Sequence, residues 1–326
     1  MSTQTQSTLD LSQNFITSFH QPPPLVLPWG TLCILDLSLN KLQGSLPVPP
    51  SSTLVYNVTN NKLTGQIPLL IYKASSLYIL DLSYNSLSGI IPQCLGNFSD
   101  SLTLLNLRNN KLRSPIPQTY KNRTQLMIIN LSQNQLEGPV PRSLINCSLL
   151  ESPDLGNNQI NDIFPFWLGT LSKLKILILR FNRFHGTIWN PDTRFAFPKL
   201  HVLDVSHNGF TSKLPSDYFQ IWTAMKTIDV NQSACIGRIE RVDNLVNNYS
   251  SYALSLTNKG MPLVYLYILN SFTAIDLSSN RFEGEIPDSI RILKCLHMLN
   301  LFNNNLIGQL PSSLGNLTKL ESLDLS

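Results

Sequence analysis

Short runs in which apolar and polar positions alternate recur along most of the chain, and each ends three residues later in an asparagine. Leu32 to Asn40 reads LCILDLSLN, Leu77 to Asn85 LYILDLSYN, Leu174 to Asn182 LKILILRFN and Leu296 to Asn304 LHMLNLFNN. Two leucines spaced by two point to one face of a strand, and the residue between them points to the other. Each phrase therefore predicts one short strand with its leucines inward. The asparagines Asn14, Asn40, Asn61, Asn85, Asn110, Asn134, Asn158, Asn182 and Asn208 recur at steps of 21 to 26, most often 24, and Asn280 and Asn304 resume the series. Downstream stands a second phrase, G-x-I/L/V-P, as in GSLP (Gly44 to Pro47), GIIP (Gly89 to Pro92) and GEIP (Gly284 to Pro287). Glycine suits a left-handed turn there, and proline suits an edge that needs no ladder donor.

A period near 24 with this phrase is a leucine-rich repeat. The fold class expected is an α/β repeat: a leucine-rich-repeat solenoid of the plant type. It would carry a curved parallel sheet on a solvated concave face, short turns or 3-10 helices on the convex face, and one island insertion. Each asparagine amide should bond to backbone of its own and the next repeat, since leaving buried polar groups unpaired costs roughly 1–3 kcal/mol each. Residues 1–231 hold about nine repeats plus a weak one at 225–233, residues 232–270 form the island, and residues 271–326 hold two repeats and a truncated third. Within the island, NNYSSYALSLTNKGMPLVYLYIL keeps apolar and aromatic residues but loses the period. The alternation in YALSL reads as a strand. The segment is expected to form a partly ordered flap, with a passive insertion as the competing reading.

Composition narrows the chemistry. A formal charge of +4 without a basic run does not suggest nucleic acid. The cysteines Cys33, Cys94, Cys147, Cys235 and Cys295 are scattered and odd in number, so free thiols are favoured over a zinc site. His20, His185, His201, His207 and His297 lie in unrelated phases and no catalytic motif is present, so neither an enzyme nor a cofactor is expected. The N-terminus has no basic and apolar leader, and no run of about 18 apolar residues could span a membrane.

Beyond the generic repeat, LPWGTLCILDLSLNKLQGSLPVPP, LGNNQINDIFPFWLGTLSKLKILILRFNRFHG and FTAIDLSSNRFEGEIPDSIRILKCLHMLNL cover much of the chain. In these phrases it resembles the ectodomain of plant leucine-rich-repeat receptor-like proteins, the group that includes tomato resistance proteins against leaf mould. The resemblance implies a cell-surface receptor of plant immunity, on the extracellular side of the plasma membrane, that binds a secreted peptide or protein. Its partners would be adaptor and co-receptor kinases, the latter meeting the repeats after the island. Islands of this family tend to place a tyrosine eight residues before Lys-Gly. Lys259 and Gly260 fit, while that position is Ser250, between Tyr249 and Tyr252. Two alternatives stay open: a soluble inhibitor of microbial pectin-degrading enzymes, and a nonfunctional fragment of a receptor gene, since both ends fall inside a repeat.

The ligand-binding candidates are Tyr249, Tyr252, Lys259 and Gly260 on the island and Arg108, Ile178, Arg180, Phe181 and His207 on the concave face. Clustered aromatic, apolar and arginine side chains are what binding hot spots use. The acids between the leucines, such as Asp81, Asp204 and Asp276, are read as held by hydration or backbone bonds rather than by calcium. Glycosylation candidates are Asn57, Asn97, Asn122, Asn130, Asn146, Asn231, Asn248 and Asn316; Asn97, Asn122, Asn146 and Asn316 share the convex turn. Pro153 replaces a strand leucine and predicts a local defect, and Trp189 replaces the proline after GTI.

Overall fold

The structure is a computed structural model that describes residues 7–19, 26–96, 101–122, 124–188, 197–227, 235–236, 254–258, 261–265, 268–269 and 271–326. The chain divides into two compact units, one mainly Met1–Cys147 and the other mainly Ser148–Glu240 and Ser251–Ser326.

In the first unit the leucine phrases become the strands Ser7–Asp10, Leu32–Asp36, Val55–Asn57, Ile79–Asp81, Leu104–Asn106 and Ile128–Asn130, which pair in that order. All neighbours are parallel, with one register shift at Ser7/Thr8 in the first strand, and Asp36, Asn57, Asp81, Asn106 and Asn130 stand side by side. The alternate positions Leu35, Tyr56, Leu80, Leu105 and Ile129 are buried, as the period of two demands.

After each strand the repeat asparagine fixes a turn. The Asn110 amide donates to Leu82 O (3.1 Å), Leu107 O (3.1 Å) and Arg108 O (3.3 Å), and its Oδ1 accepts from Leu87 N–H (3.0 Å). The bonded neighbour is the preceding repeat rather than the next one, which corrects the expected direction. The residue before each asparagine is left-handed, for example Tyr84 at φ 53° and Asn109 at φ 54°. The following residues form a second parallel sheet that the leucine pattern does not announce: Gln43–Ser45, Lys62–Gly65, Ser86–Gly89 and Lys111–Leu112. It ends at the phrase glycine, which takes a positive φ at Gly65 (78°) and Gly89 (76°). The phrase proline then opens a 3-10 turn, its carbonyl accepting from Ile71 N–H at Pro68 and from Leu144 N–H at Pro141.

The second unit repeats this plan with Ser152–Asp154, Ile176–Ile178, Val202–Asp204, Ala274–Asp276, Met298–Asn300 and Ser322–Asp324. Its second sheet joins His185–Thr187, Gly209–Ser212, Arg281–Gly284 and Asn305–Leu306. Here the core is aromatic: Phe184 stacks on Phe210 at 6.1 Å and Phe210 on Phe282 at 6.3 Å. Val202 pairs directly with Ala274, Asn280 donates to Val205 O (3.0 Å), and its Oδ1 accepts from Phe210 N–H (3.1 Å). Stacking therefore steps directly from the repeat of Asn208 to that of Asn280, Phe210 and Asn280 being 70 residues apart. Where the weak repeat was expected to begin, Met225 closes the 3-10 turn Thr223–Met225, and its carbonyl accepts from Cys295 N–H at 3.0 Å; residues 228–233 of that repeat lie outside the described residues.

Between these two repeats, Leu254–Asn258 pairs antiparallel with Met261–Tyr265, and Cys235–Ile236 pairs antiparallel with Ile268–Leu269. At Pro153 the pairing with the next strand contracts to Asp154 with Ile178, where Ile176–Ile178 and Val202–Asp204 match over three residues. Proline has no N–H to give the ladder, which accounts for the loss.

Candidate functional site

The acids between the leucines are explained by their own turns. Asp204 Oδ1 accepts from Ser206 N–H (3.1 Å) and Ser206 Oγ (2.6 Å), and Asp276 does the same with Ser278 (3.0 and 2.6 Å). In the first unit Asp81 holds Ser83 and Asn130 holds Ser132 in the same way. These side chains brace the turn, and among the described residues no cluster of three His, Cys, Asp or Glu side chains is arranged to hold a metal.

The second face of the sheet is less solvated than the sequence suggests. Ile176, Ile178, Val202, Ala274 and Met298 form a buried apolar cluster, with Phe272 packed against it. Ile178, expected as an exposed ligand contact, is fully buried, and Arg180 keeps only 8% exposure. Apolar side chains at one phase of adjacent strands, about 4.8 Å apart, cover one another instead of facing water.

Burial has electrostatic consequences in this unit. The Arg180 guanidinium reaches Asp204 through Nη1 (3.5 Å), while its Nε is buried without a partner. Burial raises the Asp204 carboxyl, against the lowering pull of Arg180 and the Ser206 bonds. Asp276 is pushed up to about 7, by burial first and then by the charge of Asp204. Burial also lowers the His207 imidazole, against the raising pull of Asp204.

Directly beyond the braced acids lies the left-handed column. Phe181 (φ 51°) and His207 (φ 52°) occupy it in successive repeats, both exposed, and their rings stack at 3.9 Å with 10° between planes. The second unit thus brings Arg180, Phe181 and His207 to one place, with Asp204 as the ionic partner that sequence reasoning did not single out. In the first unit Arg108 lies over the Tyr84 ring (5.5 Å) and donates from Nε to Gln133 Oε1 (3.2 Å). Tyr84 and Gln133 were missed, although their place immediately before a repeat asparagine is the signal that could have found them. Tyr249, Tyr252, Lys259 and Gly260 lie outside the described residues.

Of the sequons, Asn122 and Asn316 are exposed, and Asn146 is half-buried with its amide donating to Tyr120 O (2.7 Å). Asn130 keeps 1% exposure and Asn57 is half-buried with its amide on Asp36 (3.1 Å). Asn97, Asn231, Asn248 and Trp189 fall outside the described residues. The four cysteines whose side chains are described are free; Cys147 and Cys295 are buried, Cys33 and Cys94 half-buried.

In class, this is a leucine-rich-repeat solenoid in each of its two units. The leucine-rich-repeat family profile matches residues 76–98, 101–122, 125–147, 199–220, 271–293 and 295–317. Receptor like protein 27 of Arabidopsis thaliana is 45% identical over 274 residues, 83% of this chain and 33% of that protein. The chain is a leucine-rich-repeat protein of the plant receptor-like group, and it spans about a third of the length of the curated relatives it matches. The crystal structure of PEPR1–AtPEP1 is similar at TM-score 0.70 and 26% identity, covering 95% of this chain and 36% of that one. The Arabidopsis receptor kinase HAESA ectodomain, solved with an IDA peptide hormone ligand, is similar at TM-score 0.57 and 24% identity, covering 98% and 53%. The latter likeness concerns the fold alone. No helix among the described residues is long and apolar enough to cross a membrane.

Proposed function

We propose that this chain is the ligand-recognising part of a cell-surface receptor-like protein of the plasma membrane, and that it binds a secreted peptide or protein. The observation that carries this reading is the exposed Phe181–His207 stack, seated beside the buried Arg180–Asp204 pair. Holding two large side chains in the left-handed region costs about 1–2 kcal/mol per residue, and such strain persists where surrounding structure over-determines it. Here the Asn182 and Asn208 amides do so, each through three backbone carbonyls. The result is a stacked aromatic platform on a backbone already fixed, so that backbone ordering is not a cost of binding.

The names of its relatives support a receptor role. The finer reading assigns the complete protein to plant immunity, with a microbial ligand, the island residues Tyr249, Tyr252, Lys259 and Gly260 completing the site, and co-receptor kinases meeting the repeats from Phe272 onward. Expressing the complete parent protein in leaves with Tyr252→Ala and Lys259→Ala tests it. The response to microbial secretions and the recovery of receptor kinases should both be lost; undiminished response and recovery would reject the island role.

A further inference from the structure

On the side of the 3-10 turns, the second unit carries a cleft of about 780 Å³, lined among its described residues by Lys226, Arg291, Ile292, Lys294, Asn316 and Thr318. We infer that this cleft binds a small organic polyanion bearing two or more phosphate or carboxylate groups, a site separate from the aromatic platform. Three cationic residues line it, and no described carboxylate does. Arg291 and Lys294 belong to the turn that follows the insertion and Lys226 to the turn that precedes it, so 65 residues of sequence separate groups that direct stacking brings together.

The wall is anchored on both sides. Cys295 N–H donates to Met225 O at 3.0 Å, and the Lys226 ammonium donates to Gln220 O at 2.7 Å. The acid on the same turn, Asp288, is engaged by Ser313 Oγ at 3.0 Å. Lys319 is a further positive charge in the neighbourhood: burial pushes the Cys295 thiol up, and Lys319 pulls against that rise. Unit charges held about 4 Å apart repel by roughly 1 kcal/mol in water and more near protein, and a polyanion converts that repulsion into attraction. Asn316 and Thr318 add neutral hydrogen-bonding groups, and the volume lies in the range of small-molecule sites, roughly 300–1,000 Å³. Asn316-Leu317-Thr318 is also a sequon, so a glycan would stand at the rim of this cleft.

The test is calorimetric titration of the secreted, enzymatically deglycosylated chain with two probes, citrate for the carboxylate source and inositol hexakisphosphate for the phosphate source. Three proteins are compared: wild type, Lys226→Gln/Arg291→Gln/Lys294→Gln, and the equal-charge control Lys62→Gln/Lys73→Gln/Lys111→Gln. The expected result is binding of at least one probe, weakened tenfold or more in the cleft variant and less than twofold in the control. A phosphate-only or carboxylate-only response identifies the source within the proposal. No binding by wild type, or equal weakening in both variants, would overturn it.

Discussion

At the scale of single residues, the asparagine column carries the fold. Asn110 has its Oδ1 on Leu87 N–H and its amide on three carbonyls, so Asn110→Ala leaves several buried backbone groups without partners. The expected cost is about 2–3 kcal/mol, from roughly 1–3 kcal/mol per buried unsatisfied group. Urea unfolding measures it; a loss below about 0.5 kcal/mol would show that water replaces the amide. Asp276 gives a pH signature. Its folded carboxyl titrates at about 7 because burial and then Asp204 disfavour the charge, whereas an unfolded aspartate titrates near ~3.9. Between those values the folded state holds a proton that the unfolded chain has released, so stability falls as pH rises through that window. Asn130 occupies the same phase and still accepts from Ser132, so Asp276→Asn should keep the turn and flatten the decline. Melting temperatures from pH 4.5 to 7.5 decide this; identical slopes in both proteins would mean that Asp276 is already ionised.

At the scale of elements, the strand with Pro153 is the weak one. Its pairing with Ile176–Ile178 is reduced to one residue pair, so amides of Ile176 to Ile178 should exchange faster than those of Val202 to Asp204. Pro153→Leu should slow that exchange and raise stability by about 1 kcal/mol, the scale of one recovered hydrogen bond; equal protection of the two strands in wild type would contradict the defect. The leucine strands were legible because period-two burial is written in side chains. The second sheet was not, because Lys62–Gly65 and Ser86–Gly89 each bury only one side chain, leaving the rest exposed or half-buried, and owe their pairing to backbone groups. Nor was the aromatic spine, for Phe184, Phe210 and Phe282 fill a position that leucine fills elsewhere, as at Leu87 and Leu112.

At the scale of the molecule, repeat identity was legible from its period, and the family from phrases beyond the generic repeat, such as FTAIDLSSNRFEGEIPDSIRILKCLHMLNL, with which 45% identity to a receptor-like protein agrees. The candidate site was legible only in part. Phe181, His207 and Arg180 were found from their character, yet strand phase could not tell that Ile178 would be covered by Val202 and its neighbours. Tyr84 was passed over because its role depends on a left-handed φ, which its residue type does not advertise. The central claim is that the Phe181–His207 platform binds a peptide or protein. The most direct measurement pans a random peptide library on the secreted chain, then compares affinities for wild type and for Phe181→Gly/His207→Ala. Glycine suits the left-handed position, so that half of the variant should relieve strain and leave the fold intact by circular dichroism. Peptides enriched on wild type should bind the variant at least tenfold more weakly; unchanged affinity, with the variant folded, would contradict the claim.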